Sequence, residues 1–178
     1  GWGRVDLTEI IDSPRGLDLV DQTTWLVQNQ VFERRVVAAT GLEPLRITLV
    51  YTDVPGFPGV IPALVNDLDL VVIAPDGTIY NGNQFHRGES IPNSLGRDAI
   101  NNVEAVYLAV PMPGEYIVRV RGTRVAEDSR IETQIEDQDF ALVISGDIPS
   151  PGTGLVLLDR RAYTAPGTMR VQVIDDDL

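Results

Sequence analysis

The chain has 178 residues, 43% of them apolar, with no cysteine and one histidine. That is apolar material enough for one well-buried domain, and it excludes disulfides, thiolate metal sites and a zinc centre built on several His or Cys ligands. Asp and Glu outnumber Lys and Arg by 26 to 14, the net charge is −12, and every basic residue is Arg. Such a chain repels nucleic acid and anionic lipid, and no apolar run approaches the roughly 20 residues that span a bilayer.

The opening Gly1-Trp2-Gly3-Arg4 carries neither an initiator Met nor a targeting segment, so the chain reads as processed or excised. Beyond it, apolar residues recur with period two rather than at helical spacing. Leu45, Ile47, Leu49 and Tyr51 alternate with Arg46, Thr48 and Val50, as in a strand with one face on a core. Phe32 to Ala38, Leu68 to Ile73, Val103 to Val110, Tyr116 to Arg121 and Phe140 to Ser145 are further short runs rich in β-branched and aromatic residues. Ala74-Pro75-Asp76-Gly77-Thr78 and Met112-Pro113-Gly114-Glu115 have the Pro-Gly chemistry of tight turns, each expected to join neighbouring antiparallel strands.

Thr52 to Leu64 and Asn81 to Asn101 read as long loops, and Arg124 to Asp137 as a solvated acidic excursion. From Gly146 to Gly154 the composition turns to Pro, Gly and Ser, which marks a boundary. Leu155 to Leu158 and Met169 to Ile174 then read as two more strands, too few to bury a core of their own. Residues 148–178 are therefore expected to be a linker with the start of a further β domain.

Nucleophilic hydrolysis by a Ser-His-Asp triad needs an imidazole beside a serine, and the one imidazole, His86, stands in a polar stretch with no Gly-x-Ser-x-Gly elbow anywhere in the chain. Phosphate-cradling glycine loops are missing as well. The chain is expected to lack protease chemistry of its own.

The most specific run is Leu64-Val65-Asn66-Asp67-Leu68-Asp69-Leu70-Val71-Val72, followed by Ala74-Pro75-Asp76-Gly77, Tyr80-Asn81-Gly82-Asn83, Asn101-Asn102-Val103-Glu104, Pro113-Gly114-Glu115-Tyr116 and Phe140-Ala141-Leu142-Val143-Ile144. In this order, over residues 31–147, they resemble the C-terminal β-barrel of bacterial subtilisin-like serine proteases, related to the P domain of the proprotein convertases. Gly1 to Val5 resembles the family's segment just after the catalytic serine region, which implies residues 1–30 as the exit from a protease domain and 31–147 as the β domain. The resemblance implies an all-β, antiparallel jelly-roll barrel or sandwich of P-domain-like, galactose-binding-like type. It implies a secreted or cell-surface location and a non-catalytic domain that stabilises an N-terminal protease domain of the same polypeptide, with a bearing on access of protein substrate.

Asp67 and Asp69 are two apart, so on a strand they share a face and repel unless a cation or water separates them. Calcium, with six to eight oxygen ligands, is the cofactor the resemblance implies there. Asp69, Asp98 and Asn101 are its best-supported ligands, with Gln84, the Ile100 carbonyl and Asp67 completing the candidate set. At Gln84 the family carries an acid, so this position departs from its pattern. The competing readings are a substrate- or carbohydrate-binding module and an architectural repeat of a surface protein.

Overall fold

The computed structural model describes residues 15–130 and 132–149, with the strand backbones 155–158 and 171–174. The strands follow in order: β1 (Gly16–Leu26), β2 (Val31–Ala38), β3 (Leu45–Val50), β4 (Asp67–Ile73), β5 (Ile79–His86), β6 (Glu89–Pro92), β7 (Val103–Leu108), β8 (Gly114–Arg124), β9 (Gln138–Gly146), β10 (Leu155–Leu158) and β11 (Val171–Ile174). No helix occurs among the described residues. One sheet has the order β1-β9-β3-β7 and the other β2-β8-β4-β5-β6, with every pairing antiparallel. The two form a β-sandwich in keeping with the all-β, jelly-roll type of fold expected. β10 and β11 form a separate antiparallel pair, Leu155 opposite Ile174.

Period two explains the core. Leu45, Ile47 and Leu49 of β3 and Phe140, Leu142 and Ile144 of β9 face Leu68, Leu70 and Val72 of β4 and Val118 and Val120 of β8, all shut off from solvent. Each such side chain contributes about 1.5–3 kcal/mol on burial. The Phe32 and Phe140 rings meet edge-on at 5.4 Å, an orientation the ring quadrupoles favour.

The structure departs from the sequence reading in three places. β1 lies inside the 1–30 segment assigned to an exit linker, yet it pairs with β9 from Gly16↔Gly146 to Leu26↔Gln138, so the sandwich begins before residue 31. Its pattern is inverted, with Asp18 buried and Leu19 exposed, and a sequence rule that puts Leu inside cannot see it. Asn81 to Asn101 is not one long loop: β5 and β6 form a hairpin there through Arg87 (φ 52°) and Gly88 (φ 88°), the two positive-φ residues that a tight hairpin requires. The Pro75-Asp76-Gly77 turn joins paired β4 and β5 as expected, whereas the turn at Met112 to Glu115 carries the chain from β7 across to the other sheet. Trp2, the rest of residues 1–14, and 150–154 lie outside the described residues.

Candidate functional site

β4 is held along its whole length by β8 but pairs with β5 only from Val71↔Asn81 to Ile73↔Ile79. Where β5 peels away, the Asp67–Leu70 edge is left to side chains. The Glu104 carboxylate crosses from β7, and its Oε2 accepts the Leu70 N–H at 2.8 Å. Gly82 permits this, because a Cβ there would lie 2.1 Å from that oxygen. Arg97, on the β6–β7 connection, closes the outside: its Nη1 donates to Asp67 Oδ2 at 2.6 Å and to Asp69 Oδ1 at 3.1 Å. Thr123 of β8 donates its hydroxyl to Asp69 Oδ2. Between these groups is a cavity of about 150 Å³, bordered by Asp69, Asn81, Gly82, Arg97, Asp98 and Glu104.

The mouth of β4 is fixed by a buried amide. Asn66 Nδ2 donates to the Glu127 carbonyl and to Gln138 Oε1, both at 2.9 Å, and its Oδ1 accepts from the N–H groups of Ala126 and Glu127. Asp53 takes the N–H groups of Val65 and Asn66 at 2.7 and 2.8 Å, closing the loop before β4. On the other side, Asn83 stands in for the missing strand: it donates to the Val103 carbonyl at 2.7 Å and accepts the Ala105 N–H at 2.9 Å, while Ser90 Oγ accepts the Tyr107 N–H. The edge of β7 is thereby satisfied by side chains rather than by a ladder.

Charge is confined here. Burial pushes the Glu104 carboxyl up to about 8, with the Leu70 N–H opposing and Asp69, Asp98 and Asp67 adding to the rise. Burial also raises Asp67, against the pull of its Arg97 hydrogen bond. Burial works to raise Asp98 too. There it is outweighed by hydrogen bonds from Asn83, Asn101 and the Ile100 and Asn101 N–H groups, which hold the carboxyl below its ordinary value.

The sequence-predicted residues therefore fall into two groups. Asp67 and Asp69 do share a face, and the cation between them is the Arg97 guanidinium. Asp98, Ile100 and Asn101 form a turn in which both Asp98 oxygens accept N–H groups. Ile100 contributes its N–H, and Gln84 lies against Gly96. Among the described residues no three His, Cys, Asp or Glu side chains lie close enough together to hold a metal ion. Glu104 Oε1 and Asp67 Oδ1 have no hydrogen-bond partner. The residues thus supply calcium-type donor atoms but, in this arrangement, no open ligand shell. His86, read as solvated, is exposed at the end of β5. Sequence reasoning missed Arg97, Asn83 and Glu104 as site residues. Only Glu104 carried a signal, since it shares the inward parity of Val106 and Leu108 on β7.

No family model matches the sequence. The chain is 36% identical over 157 residues to "Serine protease/ABC transporter B family protein tagA" of Dictyostelium discoideum, a match that takes in 81% of this chain and 8% of that protein. Among solved structures, Aeromonas hydrophila PliG, a periplasmic lysozyme inhibitor of g-type lysozyme, aligns with 74% of this chain and 85% of its own at a TM-score of 0.38 and 14% identity, too remote to carry an argument.

Proposed function

We propose that this chain is a non-catalytic accessory domain of a secreted, subtilisin-like serine protease, packing on the protease domain of the same polypeptide and stabilising it. The observation that carries the reading is the 36% identity to a short segment of a far larger protein named as a serine protease. The single imidazole, exposed on β5, agrees with a role other than nucleophilic catalysis. In the full polypeptide, a fluorophosphonate probe is expected to label a serine outside residues 1–178. Deleting residues 15–149 is expected to lower the melting temperature of the labelled domain by several degrees. A polypeptide that takes no label, or a labelled domain indifferent to the deletion, overturns the proposal.

Calcium is the second part of the reading. Asp69 and the unpartnered Glu104 Oε1 border the cavity, and bound calcium would relieve the repulsion of the carboxylates there and stabilise the folded state by mass action. Arg97 already serves Asp67 and Asp69, so the ion must displace it, which makes the two cations competitors. Calorimetric scans should show a higher melting temperature in millimolar calcium than in chelator. Arg97→Ala should melt lower in chelator and gain more from calcium than the parent. Identical scans in both media for both proteins rule calcium out.

A further inference from the structure

Three of the exposed apolar side chains, Leu42, Val110 and Met112, lie on loops at the end of the sandwich where the chain leaves β9. β9 finishes at Gly146, packed on Pro44 and Leu45. The next two residues are pinned: the Asp147 carbonyl accepts the Ala39 N–H at 2.8 Å, the Thr40 hydroxyl donates to Asp147 Oδ2, and Ile148 is buried over Gly16. Leu42 lies two residues beyond Thr40 and is 78% exposed. Gly41, at φ +70°, presses on the Pro111 carbonyl so closely that a Cβ would come within 2.3 Å, which locks this loop to the β7–β8 connection. There Val110 is 83% exposed and Met112 is exposed as well. Leu42, Val110 and Met112 therefore stand on two adjoining loops, one of which is hydrogen-bonded to the exit.

Only Ser150-Pro151-Gly152-Thr153-Gly154 separates Pro149 from β10, a tether that reaches at most about 20 Å. The β10–β11 pair consists of Leu-Val-Leu-Leu and Val-Gln-Val-Ile. A two-stranded sheet of four-residue strands is marginal in water without a surface to pack on. Here an apolar hairpin that needs cover is held by a short leash beside an apolar surface that lacks it, at an effective concentration in the millimolar range.

We propose that the surface formed by Leu42, Val110 and Met112 is the seat of this chain's own β10–β11 hairpin, which the sandwich thereby helps to fold. The proposal does not depend on the protease reading. It is tested by hydrogen exchange on the full 178-residue chain. Amides of residues 155–158 and 171–174 are expected to be protected in the parent. In Leu42→Asp/Val110→Asp they should lose at least about tenfold of that protection while the β3 and β9 amides keep theirs. Phe57→Asp/Ile61→Asp, at two exposed positions of the β3–β4 loop, should change nothing at the hairpin. Should the first pair disturb β3 or β9, Leu42→Ser/Met112→Ser replaces it. Trypsin gives an independent reading, since Arg160, Arg161 and Arg170 lie within or beside the hairpin and should be cut faster in the patch variants alone. An unprotected hairpin in the parent, equal loss in both pairs, or protection that moves instead to residues 1–14 overturns the proposal. Protection that depends on protein concentration does so too, by assigning the surface to a second copy.

Discussion

Glu104 binds its proton more tightly in the folded chain than in the unfolded one, where its pKa is near 4.5 rather than about 8. Between those values the folded state keeps a proton that the unfolded chain has released, so Glu104's contribution is full on the acid side and declines as pH rises through the window. Asp98, held low by its four N–H donors, has the opposite sign, and its contribution is lost below the ordinary carboxylate range. Urea unfolding should therefore show stability falling from pH 5 to pH 8.5 by up to roughly 4 kcal/mol, less whatever relaxation lets water reach the carboxylate. Glu104→Gln keeps an oxygen for the Leu70 N–H without the titration, and should flatten the profile and leave the variant the more stable at pH 8.5. A flat profile in the parent would show that Glu104 ionises in place at little cost.

At the scale of elements, β4 is anchored by what lies just before it. Asn66 is fully buried with four hydrogen bonds made. Asn66→Ala strands the Ala126 and Glu127 N–H groups and the Glu127 carbonyl, and should cost roughly 2–4 kcal/mol, read as a lower urea midpoint with an unchanged m value. Asn66→Asp, of the same shape but without the two donors, should destabilise as well, because a carboxylate would face the Glu127 carbonyl and Gln138 Oε1. Equal stability of parent and Ala variant would mean that water replaces the amide.

The same contrast explains what could be read in advance. β2, β3, β4, β7, β8 and β9 announced themselves because each puts apolar residues on alternate positions toward the core. β5 did not, since Asn81 and Asn83 are spent on carbonyls and edge amides of neighbouring segments rather than on burial. The pairing of Asp67 with Asp69 followed from strand parity alone. Their partner did not, because Arg97 is 28 residues from Asp69 in the chain and reaches it only after the β5–β6 hairpin has folded back.

At the scale of the molecule, β1 and β9 join the two ends of the domain, and pairing them must wait until nearly the whole chain is in place. β1 does more than complete a sheet. Leu26 reaches the core, and Asp18 accepts two hydrogen bonds from Arg34 of β2, at 2.7 and 2.9 Å, tying one sheet to the other along their common edge. Without β1, all nine residues of β9 would present an open edge on one side, the exposure that promotes pairing between molecules. Removing residues 1–14 leaves each of these contacts intact and should give a chain that melts cooperatively near the parent temperature. Removing residues 1–30, the segment that the family resemblance assigns to an exit from a protease domain, should give a chain that aggregates or fails to melt cooperatively, measurable by circular dichroism and light scattering at matched concentration. If the chain beginning at Val31 melted as the parent does, β1 would be an adornment of the sandwich rather than its closing strand, and the Asp18–Arg34 pair would contribute no more than an exposed ion pair does, about 0–1 kcal/mol.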